Sequence, residues 1–483
     1  MIARLKIASL GLSLLLAAIA GAAVAAQAPG LASAPDIAIS GRDRFYTSDQ
    51  FSNTVSVIDP SSNKLLGVIR LGDPTPASLS PLYRGQLLVH GMGLSPDHHT
   101  LAVVSVGSNS VTFIDTATNA VKHVTYVGRS PHEAFFAPDG KEVWVAVRGE
   151  DYLQILDGKT YLPKGRIKVL NGPGMTIFAP DGRYAYVCSS FTPQTLVIDP
   201  KSRKIVGRVT QDSPFCPDIA ATPDGKQVWM TQKDTGKVMV FDARPPFAVL
   251  KVLDTGAITN HVNFVRNRAG QFAYVTIGSQ NAVKVFRTDS FAQTATIAVG
   301  ALPHGLWPSG DGARIYVGLE NADEVAAIDT ASNTVIATIP IGQAPQGVMY
   351  APNAVPSGDG LRNLVPLGLA ANRAMLTLAS PDGKPVTQVT LFDQGQVQVL
   401  QAGAAGLKPK TAYVLALSDD PKGAGKLQPL AAFTTNPAGA AVVNAVGPVR
   451  QVVTAEAAPG ARRYLVIAEG APDAPGGVVQ VQR

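Results

Sequence analysis

A strand-turn-strand unit recurs seven times in the first three quarters of the 483-residue chain, and a repeat of that kind decides the fold before any local element is assigned. Its copies start at Val55 (VSVIDPSSNKLLGVI), Val111, Leu153, Thr195, Val238, Val283 and Val325 (VAAIDTASNTVIATI). The turn opens on Asp59, Asp115, Asp157, Asp199, Asp242 and Asp329, short carboxylates that accept backbone N–H groups inside a turn; the sixth copy has Arg287 instead. We read these aspartates as turn caps with no chemistry of their own. Upstream, Pro138-Asp139-Gly140, Pro180-Asp181-Gly182, Pro223-Asp224-Gly225 and Gly310-Asp311-Gly312 join two further apolar runs in the manner of tight hairpins. Each unit therefore supplies four strands.

Glycines at the unit ends set the period: Gly128, Gly172, Gly256, Gly300 and Gly342 lie one or two units of 42 to 44 residues apart. Four strands in about 40–45 residues is one blade of a β-propeller. Residues 37–72 carry only three strands, while residues 343–352 read as a lone inner strand, so the two fragments complete one blade and close a ring without exposed sheet edges. The expectation is a seven-bladed β-propeller over residues 37–356. A Pro-rich insertion at residues 73–89, which carries Tyr83 and Arg84, reads as a long loop near one mouth of the channel. After a turn-rich linker at 351–360 the repeat stops, and residues 361–483 alternate over about seven short runs, Val449–Val453 among them, as a small β-sandwich does. The fold class is all-β throughout.

Residues 1–26 run from Arg4 and Lys6 through a Leu/Ala-rich stretch to Ala23-Val24-Ala25-Ala26, the pattern of a secretory signal peptide. No later stretch approaches the roughly 18 apolar residues of a membrane span, so the mature chain is expected in the periplasm or secreted. Cys188 and Cys216 are the only cysteines, and in an oxidising compartment a lone pair is read as a disulfide, here between blades four and five. The formal charge of +6 falls to +4 without the two leader cations, too mild an excess to point to nucleic acid.

Residues 130–172 (SPHEAFFAPDGKEVWVAVRGEDYLQILDGKTYLPKGRIKVLNG) and 302–342 resemble the YVTN-type propeller repeats of exported bacterial proteins, which include the YncE-like group. The resemblance implies the propeller fold and export, and leaves activity open because propellers host many functions. It allows single-stranded DNA binding, which needs aromatic platforms beside a basic groove; with 6% aromatics and a charge of +4 that reading ranks last. The segment GLKPKTAYVLAL resembles the C-terminal sandwich of RskA-like anti-sigma factors.

The chemistry-bearing residues concentrate on one face. Aligned on Pro-His-x-x-x-x-x-Pro-Asp-Gly, His90, His132, His261 and His304 start the inner strands of four blades, with Gly174, Asp218 and Gln346 at the same position in the others. Four imidazoles facing one channel would suit copper or zinc, and the arrangement resembles the copper-binding propeller of nitrous oxide reductase with a smaller histidine set; the plainer alternative is that they hydrogen-bond backbone and water. His98, His99 and His123 are expected at solvated positions. The loops between second and third strands bring Arg148, Glu150, Gln232, Lys233 and Glu320 to the same face, where with Gln346 they form a candidate ligand surface, although charges at loop tips are ordinarily solvated. No Gly-x-Ser-x-Gly, Walker, Gly-x-Gly-x-x-Gly or His-Glu-x-x-His signature occurs to indicate an enzyme. The leading expectation is a non-enzymatic binding or scaffold protein, with a protein partner or small ligand at the propeller face. The alternative is a copper-type metalloprotein or metal-dependent oxidoreductase.

Overall fold

In a computed structural model of the chain, residues 37–72, 87–394, 397–447, 449–458 and 460–483 are described. The leader, Tyr83 and Arg84 lie outside them. Seven four-stranded antiparallel sheets surround a common channel, as the repeat requires. The first is closed as the sequence indicates: the inner strand Pro345–Ala351 pairs with Arg44–Asp49, Tyr46 opposite Met349, joining residues some three hundred positions apart. All six turn aspartates accept the expected backbone N–H two or three residues on, at 2.9–3.1 Å.

Burial follows strand order within a blade. Inner and second strands such as Pro131–Phe136 and Thr100–Ser105 are buried along almost their whole length, whereas an outer strand such as Val121–Tyr126 buries only Thr125. The core lies between neighbouring sheets, where large rings interlock: Trp144 meets Phe178 edge-on at 5.1 Å, Trp229 meets Phe264 at 5.9 Å, and Phe45 meets Tyr316 at 4.7 Å across the closure. His98 takes the left-handed conformation (φ +64°) that glycine adopts in the sister turns, but it is not simply solvated. The segment after the last inner strand covers it, and its Nδ1 lies 3.1 Å from the Pro352 carbonyl oxygen.

That segment is pinned along its path. Arg44 donates to the Asp359 carbonyl at 2.7 Å, Asn119 to that of Gly360 at 2.9 Å, and Val365 forms a bridge with Val68 on the outer strand of blade one. It carries the chain from the far face of the propeller, around its first blade, to the histidine face.

There the second domain forms one eight-stranded antiparallel sheet, curled like a barrel so that its end strands Leu427–Thr434 and Ala441–Val446 lie against each other. Leu378, Leu391, Leu415, Leu465 and Ile467 fill it. Within this all-β domain Val449–Val453 is a helical turn at Arg450–Val453 rather than a strand; Val453 packs into the core while Gln482 caps its carbonyl at 2.8 Å. Two further strands, Ala441–Val446 and Ala474–Gln482, complete the sheet by pairing with Val397–Ala404 and Tyr464–Ala471. The barrel rests on the loops of blades five, six, seven and one: Ala438 N–H donates to Asp234 O (3.1 Å), Ala440 packs with Ile258 and Leu302, Thr390 donates to Asn321 O (2.6 Å), Arg373 pairs with Glu324 (2.9 Å), and Phe392 meets Phe51 at 5.0 Å.

Candidate functional site

The histidine ring is built by a recurring irregularity. Inner strands slip register against second strands at one level, between Val89 and Met92, Pro131 and Glu133, Pro173 and Met175, Thr259 and Val262, and Pro303 and Leu306. A bulge re-aims the side chain it carries, and each slip spans the position that the sequence alignment assigns to the ring. Neighbouring inner strands approach so closely that a Cβ on Gly347 would lie 2.7 Å from the His90 carbonyl oxygen.

His90, His132, His261 and His304 come together. Ring centroids lie 4.4 Å apart for His90 and His132, 4.6 Å for His261 and His304, and 6.5 Å for His90 and His304. Burial pushes His90 and His261 down to about 3 and holds His132 and His304 well below the ordinary imidazole value, the nearby Arg148, Lys233 and sister histidines adding to it. All four are therefore neutral at pH 7. His304 Nδ1 lies 3.1 Å from Gln346 O and His261 Nδ1 lies 3.7 Å from an Asp218 oxygen, whereas the buried Nδ1 atoms of His90 and His132 have no hydrogen-bond partner.

Glu133 joins them, a residue that strict alternation would send away from the channel. Its carboxylate accepts the Met92 N–H at 3.1 Å, is 3% exposed, and is raised well above the usual glutamate value by burial and by Asp218. One ligating atom each from His90, His132 and Glu133 lies within 4.8 Å of the other two. Beneath, a cavity of about 20 Å³, room for one water-sized atom, is lined by Met92, Glu133, Met175, Asp218 and Trp307. Burial raises Asp218 to about 7. The sequence signal for Glu133 lay in the next column of the repeat, where Gly91, Gly305 and Gly347 leave space and Glu133 stands in their place.

Above the ring, charges at loop tips are drawn inward rather than solvated. Arg148 has no carboxylate within ion-pair distance among the described residues; its guanidinium lies 5.5 Å from the Phe191 ring and 5.3 Å from that of Phe215, and Lys233 lies 5.8 Å from Phe215. Burial lowers the affinity of both cations for their protons, Lys233 being partly sustained by Glu320. Glu320, 4% exposed, is raised by burial against the pull of Lys233, Gln346 and Gln401, the last contributed by the second domain. Gln232 is fully buried. Glu150 stands apart on the rim, paired with Arg129 at 2.8 Å. Cys188 and Cys216 form the disulfide expected between blades four and five and brace the wall beside Phe215.

Buried polar atoms without a partner converge here: His90 Nδ1, His132 Nδ1, Arg148 Nε, Gln232 Nε2, Glu320 Oε2 and Gln401 Oε1. Native proteins leave few such atoms, each costing about 1–3 kcal/mol if nothing meets it. Among the described residues no helix is long and apolar enough to cross a membrane.

These features define a seven-bladed propeller whose polar channel mouth is roofed on one side by a second β domain. The chain belongs to the YNCE-like beta-propeller family, whose model matches residues 7–355. No curated protein matches it. Among solved structures it is similar in fold to Kuenenia stuttgartiensis hydrazine synthase, at 19% identity and TM-score 0.52 over 65% of this chain and 99% of that one. A functionally unknown protein from Desulfotomaculum acetoxidans DSM 771 is similar at 14% identity and TM-score 0.53, over 64% and 98% of the respective chains.

Proposed function

We propose that this is an exported binding protein that takes a small organic anion into the chamber between the histidine ring and the second domain. The unmet polar atoms carry the reading: Arg148 Nε, Gln232 Nε2, Glu320 Oε2 and Gln401 Oε1 are buried without a partner, and a ligand with several polar groups would meet them. Above the ring Arg148 and Lys233 outweigh the carboxylate of Glu320, which selects an anionic group, while the rings of Phe191 and Phe215 can cover the apolar face of such a ligand. The second domain covers the blade-five-to-one side of the mouth, which favours a small ligand over a large protein partner at this face. Export is supported by the apolar leader and the disulfide, and the compartment is the periplasm in a Gram-negative host.

The test is native mass spectrometry of the mature chain purified from the periplasm. A retained organic anion that is lost in Arg148→Gln supports the reading. An empty protein that no panel of carboxylates, phosphates and sulfonates stabilises against heat overturns it.

A further inference from the structure

We propose that His90, His132 and Glu133 hold one transition-metal ion at the floor of the chamber, with zinc or copper(II) as the cations their donor atoms select. The site goes beyond the anion chamber above it and stands without it.

Three observations converge. The first is geometry: two imidazoles and a carboxylate from adjacent inner strands each bring a ligating atom within 4.8 Å of the others, close enough for one ion to touch all three after small side-chain adjustments. The second is unmet bonding capacity. His90 is half-buried and its Nδ1, out of reach of water, has no partner; His132 is buried, its ring leaning only on the Gly174 backbone; and Glu133 is a buried carboxylate with no cation within ion-pair distance among the described residues. Its one hydrogen bond, from the Met92 N–H, leaves most of the acceptor capacity of the carboxylate unused, which a dication would take up. The third is that the strand beside it is cut away: Gly91 leaves the space that the Glu133 carboxylate fills, in the column where two other blades also keep glycine but place no acid nearby.

Two nitrogens and one carboxylate oxygen suit zinc or copper(II) and leave a coordination position open toward the chamber. This ligand set takes two of the four imidazoles of the sequence alignment and adds Glu133. His304, tied through Nδ1 to Gln346 O, and His261, set beside Asp218, are positioning neighbours that fix the adjacent rings.

The experiment uses the mature full chain without an affinity tag, stripped with chelator and titrated with Zn²⁺ and with Cu²⁺ by calorimetry, followed by electron paramagnetic resonance of the frozen copper complex. The expected result is a single equivalent of metal per chain and a copper spectrum with nitrogen coupling. Affinity should fall at least about tenfold in Glu133→Gln, which keeps the acceptor for Met92 and should melt near the parent temperature. His132→Ala should remove the nitrogen signature, and the outer-strand control His123→Ala should bind as the parent does. A stripped protein that takes up no metal, or a folded Glu133→Gln that binds as tightly as the parent, overturns the proposal.

Discussion

The carboxylate of Glu133 occupies the space that Gly91 leaves on the neighbouring inner strand, and a Cβ on Gly91 would collide both with that carboxylate and with the His132 carbonyl oxygen. Both positions lie in bulges, but the residues on either side are paired to their second strands, which limits how far either backbone can retreat. Gly91→Ala is therefore expected to cost about 1–3 kcal/mol through overpacking, measured by urea unfolding. Because the same methyl displaces Glu133, uptake of zinc by the folded variant should weaken as well. A Gly91→Ala protein as stable as the parent would show that the two strands can part without cost.

Much of this arrangement was legible in the chain. The seven strand-turn-strand copies gave the blade number, and the mismatch between a three-strand opening at 37–72 and a lone strand at 343–352 gave the closure. The column through His90, His132, His261 and His304 gave the ring. Glu133 stayed hidden because period-two alternation puts neighbours of an inward residue on the other side, a rule that the bulge at Pro131/Glu133 breaks. Docking of the second domain was equally silent: it is made by Thr390, Gln343, Arg373 and a few apolar tips, residue types that ordinary surfaces also carry. Burial of Arg148, Lys233 and Glu320 follows from that docking and from the aromatic wall, neither of which a loop sequence announces.

Two carboxyls at the closure should make stability depend on pH. Burial raises Asp49 to about 7 against hydrogen bonds from Thr47, Thr54 and Ser56, and raises Asp323 to about 8 despite the Ala344 N–H and Arg373, with Asp49 and Glu324 adding to the rise. A carboxyl whose folded value lies above its unfolded value binds its proton more tightly when folded. Its contribution is complete below about 4 and is lost as pH climbs through 7 to 8. The four ring histidines, held neutral by burial, work the other way below about 6.5, so the comparison belongs above that pH: melting temperature should be higher at pH 7 than at pH 9, and Asp49→Asn should narrow that difference. An unchanged difference would mean that Asp49 titrates normally.

The disulfide closes a loop of 28 residues between blades four and five and is wholly buried. Loop-closure entropy for that length is worth about 3.6 kcal/mol. Cys188→Ser with Cys216→Ser should lose about that much by denaturant unfolding, while the parent should lose as much only after reduction under unfolding conditions. Equal stability of both proteins would show that the bridge constrains nothing.

Phe392 is fully buried against Phe51 and Ala344, an apolar contact between the second domain and the propeller. Truncating such a ring costs about 3–5 kcal/mol if the packing is kept. The other links, among them Thr390 to Asn321, Ala438 to Asp234 and the partly buried Arg373–Glu324 pair, are worth about 1 kcal/mol each, so loosening of the second domain at this edge is a cheaper response than unfolding of the propeller. Phe392→Ala should therefore leave the melting of the propeller nearly unchanged while limited proteolysis cuts faster between the domains, near residues 361–372. If the second domain is the roof of the chamber, the same variant should release whatever small anion the parent retains, since Gln401 would leave Glu320 with it. A variant that resists protease as the parent does would show that Phe392 is not what holds the roof in place.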